Sequence, residues 1–171
     1  REAILKVHTL NSKLADNVDL SIVAKSTPGM SGADLANLCN EAALMASRKN
    51  HQVIEMNDVE EAMDKEMMGA QHKSMVLSPE EKKIIAYHES GHALVQRSLP
   101  ESQPIHKVTI IPRGRSLGAT HILPEKDIHI ESDHYFRNSL ITLLGGRAAE
   151  RIFFDRVYTG AESDLHSATE L

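Results

Sequence analysis

A single cysteine, Cys39, stands among the 171 residues, which excludes an internal disulfide framework and suits a reducing compartment. Its neighbours Leu38 and Ala42 share a helical pattern, so Cys39 reads as a small core residue. Positive charge is also scarce: the net charge is −5 and no Lys/Arg cluster stands out, so there is no electrostatic case for nucleic acid. No apolar run approaches the roughly 20 residues needed to cross a bilayer, and no signal peptide opens the chain. Repeats and low-complexity tracts are missing too. No Gly-x-x-x-x-Gly-Lys-Ser/Thr loop occurs, so these residues hold no phosphate cradle and by themselves should not hydrolyse ATP. What is present, 41% hydrophobic and 25% charged residues, is the composition of a globular protein long enough for one full domain or two small ones.

Residues 1–68 read as helical almost throughout. Asp19 can cap a short helix through Lys25, which Thr27-Pro28-Gly29 breaks. Ser31 caps a long helix whose Leu35, Leu38, Ala42, Met45 and Ala46 line one face. A short Val53-Ile54 segment follows, and Asn57-Asp58-Val59-Glu60 predicts a capping-box start for a helix to Met68. Residues 69–77 show no periodicity and read as a connector.

The character changes at Ser78. Ser78-Pro79-Glu80-Glu81 combines an N-cap serine, a proline at the first helical position and a glutamate that completes a capping box. Pro100 stops the helix. Between them Ile84, His88, Gly91, His92, Val95 and Leu99 form one apolar-side stripe. Ile105–Ile111 and Leu117–Leu123 predict a β-hairpin around Pro112-Arg113-Gly114-Arg115. Ser132 caps a further helix carrying Phe136, Leu140, Leu143 and Leu144. Gly145-Gly146 within its apolar pattern predicts close approach of another helix, with the one bearing Gly91 as the candidate.

His88-Glu89-Ser90-Gly91-His92 carries the chemistry. Side chains four apart on a helix lie one above the other, so two imidazoles can reach one tetrahedral zinc. Glu89, one residue after the first histidine, stands where it can take a proton from water on the metal. Composition alone supplies such a pattern in about one chain in twenty of this make-up, so the helical setting has to carry the reading. The competing reading is a pair of core histidines satisfied by hydrogen bonds.

A catalytic zinc needs a third protein ligand. The extended pattern with glycine and a third histidine fails, because Val95 and Ser98 stand there, and Thr109–Pro112 offers no acid. Asp127, Asp133, Glu150, Asp155, Glu162 and Asp164 remain open. Asp164 follows Thr159-Gly160-Ala161 and can sit in the first turn of a terminal helix, where a solvated acid is the plain alternative.

Four segments together resemble the FtsH family of membrane-anchored, ATP-dependent AAA zinc metalloproteases. Ser31-Gly32-Ala33-Asp34-Leu35-Ala36-Asn37-Leu38 with Asn40-Glu41-Ala42-Ala43 resembles the helical lid of the AAA module, and Ala86–Ala93 the family's zinc helix. Leu143–Glu150 and Thr159–Leu165 resemble its two later signatures. The resemblance covers nearly the whole chain and implies a mainly α fold: a four-helix AAA lid over 1–69, a linker over 70–78, and over 79–171 the N-terminal part of a mainly helical zinc peptidase domain with a small β-hairpin. It assigns Zn²⁺ to His88, His92 and Asp164, and the general base to Glu89. Ser163 stands where the family usually has asparagine, a departure beside the third ligand. The lid implies that His8, Gly32 and Ala33 lie against adenine and ribose; a surface histidine and a glycine needed for helix entry are the plain alternative.

The family's phosphate loop, Mg²⁺-binding acid, arginine fingers and membrane anchor are expected upstream of Arg1, and further peptidase helices after Leu171. The implied whole is a zinc metalloendopeptidase that uses ATP and Mg²⁺ to degrade unfolded or membrane proteins. A homo-hexamer at the cytoplasmic face of the bacterial inner membrane, or an organellar equivalent, is its implied setting. An unfolded substrate could add as a strand along Leu117–Ile122. A catalytically silent, truncated interaction module of such a ring is the competing expectation, and a nucleotide-sensing lid a third.

Overall fold

Serine and acidic side chains at helix entries set where most helices of this chain begin. The computed structural model describes residues 1–114, 116–122 and 130–171. Two compact units result, Arg1–Gln71 and His72–Leu171. Among the described residues the fold is mainly α, with seven α-helices and one two-stranded antiparallel sheet.

The first unit holds four helices, α1 (Glu2–His8), α2 (Leu20–Lys25), α3 (Gly32–Arg48) and α4 (Met56–Met68). Asp19 caps α2 by accepting from the Ser21 and Ile22 amides at 2.8 and 3.4 Å. Ser31 and Asp34 form a reciprocal capping box on α3. The buried face of α3 is Leu35, Leu38, Ala42, Met45 and Ala46, as its periodicity predicts. Leu5, Val23, Ile54, Val59, Ala62 and Met63 close the core around it.

The start of α4 differs from expectation. Its N-cap is Glu55 with Asp58 three residues on, not Asn57 with Glu60. Asp58 has no exposed surface, and its carboxylate accepts from Lys49 Nζ at 2.8 Å, His51 Nδ1 at 2.9 Å and the Glu55 amide at 3.1 Å. Three donors converging on this one carboxylate fix the register, which no local pattern reveals.

In the second unit α5 (Pro79–Ser98) starts at the Ser78–Glu81 capping box and stops before Pro100. A hairpin follows, β1 (Ile105–Thr109) against β2 (Ala119–Ile122), in the register Val108↔Thr120 and Thr109↔Ala119. These strands are shorter than the predicted runs. The Ile111 amide turns to the Thr109 hydroxyl at 3.1 Å, and Pro112 has no amide to donate. Arg115 and Leu123, at the predicted turn and strand end, lie outside the described residues.

The helix α6 (Asp133–Phe154), capped by Ser132, packs along α5. A 3₁₀ turn over Thr159–Ala161 then leads into α7 (Glu162–Glu170). The packed face of α6 is Gly145, Gly146, Ala149 and Glu150, while Phe136 and Leu144 keep about two-fifths of their surface exposed. Along α5 the buried stripe is Ile85, His88, Glu89, Gly91, His92 and Gln96, one position displaced from the predicted Ile84.

Candidate metal centre

Backbone meets backbone where α5 crosses α6. A Cβ built on Gly91 would lie 2.5 Å from the Gly145 carbonyl oxygen, and one on Gly145 would lie 2.8 Å from that of Gly91. Only glycine permits this approach, as the Gly145-Gly146 pair predicts. Gly146 has a second task. A Cβ there would lie 2.5 Å from His92 Nε2 and 2.6 Å from His88 Nε2, so its missing side chain is the space into which both rings point.

Each ring is turned by a partner on α6. His88 Nδ1 donates to Glu150 Oε1 at 2.7 Å, and His92 Nδ1 donates to the Thr142 carbonyl at 2.8 Å. With both Nδ1 atoms bound to acceptors, the neutral tautomers leave both Nε2 lone pairs directed inward. These Nε2 atoms are 3.0 Å apart, and Asp164 Oδ2 lies 3.1 Å from the first and 3.4 Å from the second. Tetrahedral Zn²⁺ with bonds near 2.05 Å needs ligand atoms about 3.3 Å apart, and all three separations fall near that edge length. Two lone pairs and a carboxylate oxygen facing one point could hold a metal cation between them. The donor set fits zinc.

Asp164 reaches the site from the first turn of α7. Of the other acids open on sequence, Asp133, Asp155 and Glu162 are exposed and Asp127 lies outside the described residues. Glu150 takes a role that spacing did not disclose. It is 1% exposed, orients His88 with one oxygen, and accepts the Tyr158 amide with the other at 2.8 Å. It thereby ties the imidazole to the segment that delivers Asp164. The outward Nδ1 of a metal-binding histidine, which requires an acceptor, was the signal available beforehand. Ser163, beside Asp164 in the first turn of α7, is exposed, and its side chain makes no hydrogen bond among the described residues.

Electrostatics follow from this burial. His88, Glu89 and His92 are each less than a tenth exposed. Burial opposes charge on His88 and His92, yet the Asp164 carboxylate, with Glu150 for His88 and the Thr142 carbonyl for His92, raises both above the ordinary histidine value. Burial likewise works against ionised Asp164, but the two imidazoles hold its carboxyl well below the usual range. Glu89 is pushed up, chiefly by burial, against the Thr120 hydroxyl and the two histidines.

The model of peptidase family M41 matches residues 75–171, more than half of the chain and the whole of this cluster. The chain belongs to peptidase family M41. The model of the AAA+ lid domain matches residues 17–61. An M41 relative from Salinibacter ruber, called ATP-dependent zinc metalloprotease FtsH 2, is 51% identical over all 171 residues, which cover 25% of its own length. Two proteins called ATP-dependent zinc metalloprotease FtsH, from Acidobacterium capsulatum and Aquifex aeolicus, are each 52% identical over the full chain, which covers 27% of each. The chain therefore spans about a quarter of the length of these M41 relatives.

His8, Gly32 and Ala33 belong to the first unit, and the cluster to the second. His8 closes α1, Gly32 and Ala33 open α3, and all three are exposed.

Proposed function

We propose that this M41 chain holds one Zn²⁺ between His88 Nε2, His92 Nε2 and an Asp164 carboxylate oxygen, and that it hydrolyses peptide bonds with Glu89 as general base. The convergence of those three ligand atoms within 3.4 Å of one another carries the reading. Bound there, Zn²⁺ supplies Lewis acidity, acidifying water and polarising the scissile carbonyl. Glu89 takes the proton of the attacking water on its carboxylate and returns it to the leaving amine. In the metal-free chain burial raises its proton affinity. Glu150 and the Thr142 carbonyl keep both imidazoles in the tautomer that binds metal.

The further proposal is ATP-dependent proteolysis of unfolded or membrane polypeptides by a homo-hexameric ring at the cytoplasmic face of a bacterial inner membrane, or its organellar equivalent. The names of the relatives, ATP-dependent zinc metalloproteases, support ATP dependence and zinc proteolysis for those proteins. Residues 1–69 then serve as the AAA lid, 70–78 as linker and 79–171 as peptidase. Among the described residues no helix is long and apolar enough to cross a membrane, so in this proposal the anchor belongs to other residues. His8, Gly32 and Ala33 contact the nucleoside of ATP, bound with Mg²⁺ by residues outside this chain. Gly32 supports this: a Cβ there would meet nothing within 4 Å, so the packing of its own unit does not require glycine.

Metal analysis of the purified chain tests the centre. One zinc per chain is expected, with strong loss in His88→Ala and Asp164→Ala; undiminished occupancy in both would refute the ligand set. In full-length protein, Glu89→Gln is expected to keep zinc and lose casein cleavage, and retained cleavage would remove Glu89 from its role.

A further inference from the structure

Glu89 is a buried carboxylate with a single hydrogen-bonding side chain in contact among the described residues, and that side chain comes from the hairpin. Thr120 Oγ1 lies 2.9 Å from Glu89 Oε2 and 3.1 Å from the Glu89 carbonyl oxygen. The hydroxyl has one proton and two acceptors on the same residue, so it grips the side chain and the backbone of Glu89 together. Two residues earlier, Gly118 faces the other carboxylate oxygen with no side chain of its own. A Cβ on Gly118 would lie 2.8 Å from Glu89 Oε1, 2.9 Å from Glu89 Cγ and 2.9 Å from Ile85 Cγ2. Gly118 is buried, and its carbonyl accepts from the Ser116 hydroxyl. Thr120 is held in turn by pairing with Val108 across the sheet.

We infer that Thr120 is a positioning residue for Glu89: it fixes one carboxylate oxygen while Gly118 leaves room for the other. This rests on Glu89 acting as the general base. A glutamate side chain with no fixed partner has several rotamers, and only some direct an oxygen at the water to be activated. Locking one rotamer speeds proton transfer without adding affinity for substrate or metal. A hydroxyl does this for both states of the base, since it donates to the carboxylate and can accept from the carboxylic acid. A purely structural tie between hairpin and helix would instead affect stability and leave turnover intact.

The experiment compares Thr120→Val, Thr120→Ser and Gly118→Ala in full-length protein, with Glu89→Gln as the control, reading kcat, KM and zinc per chain. Thr120→Val is expected to lower kcat about ten- to a hundredfold with KM and zinc unchanged, and Thr120→Ser to recover most of the loss. Gly118→Ala, which disturbs the carboxylate from the other side, is expected to lower kcat likewise while zinc is retained. A crystal structure of Thr120→Val should show the Glu89 carboxylate displaced. Wild-type kcat in Thr120→Val and Gly118→Ala, or failure of Thr120→Ser to recover activity, overturns the inference while the base assignment stands. Cleavage surviving in Glu89→Gln overturns the base assignment itself, and the positioning role with it.

Discussion

At the scale of single residues, two imidazoles and a carboxylate answer to groups behind them. Glu150 shows this most plainly, because its two oxygens serve His88 and the Tyr158 amide together. Glu150→Gln keeps the shape but removes the negative charge that supports the His88 tautomer. Zinc affinity, read by competition with a chelator, is expected to fall about ten- to a hundredfold, and an unchanged constant would remove Glu150 from this role. Acid and zinc compete for the same nitrogens, and the signs can be worked out. His88 and His92 are raised in the folded, metal-free chain, so their stabilising contribution is complete below the unfolded value of about 6.5 and fades as pH climbs through the folded values. Asp164 is lowered, so its contribution is complete above about 3.9 and is lost as pH falls through the folded value. The metal-free cluster is therefore most stabilising at roughly pH 4 to 6.5. Zinc needs the rings neutral, so its added stabilisation grows with pH. Melting curves of zinc-loaded and chelator-treated chain between about pH 5 and 8 should diverge as pH rises, and a constant gap would contradict this coordination.

At the scale of elements, the crossing of α5 and α6 builds the centre. Glycine does two separate jobs there, and two substitutions separate them. Gly91→Ala places a methyl against the Gly145 carbonyl and Ala149 Cβ, both on α6. It is expected to destabilise the fold by about 1–3 kcal/mol in denaturant titrations, since the obstacle is largely backbone. Gly146→Ala places its methyl among the imidazole nitrogens, so lost zinc binding should exceed lost stability. Equal effects of the two on zinc and stability would show that the space at Gly146 is only a packing feature. The helix entries at Ser31, Ser78 and Ser132 were legible because capping is a contact within one turn. The entry to α4 was not, because Asp58 is fixed by Lys49 and His51 as well as by its own helix.

At the scale of the whole molecule, the proposed zinc site is built from one unit. All three proposed ligands belong to His72–Leu171, and none to Arg1–Gln71. Chelation should therefore speed amide hydrogen exchange in α5, the end of α6 and α7, and leave α3 unchanged, as mass spectrometry can follow peptide by peptide. Exchange that rose equally in α3 would mean that the metal's influence is not confined to its unit. The same division marks how far the amino-acid order reached. Helical faces, most caps, the paired histidines with their glutamate and the demand for glycine at a helix crossing depend on neighbours within a few positions, so the chain alone determined them. Which acid completes the cluster was open among six on spacing, and only the motif resemblance singled out Asp164. The inward turn of both Nε2 atoms, the service of Glu150 to His88 and the grip of Thr120 on Glu89 were decided by the tertiary structure. Each joins residues 31 to 62 positions apart, and at such separations only the packing of whole elements decides which groups meet.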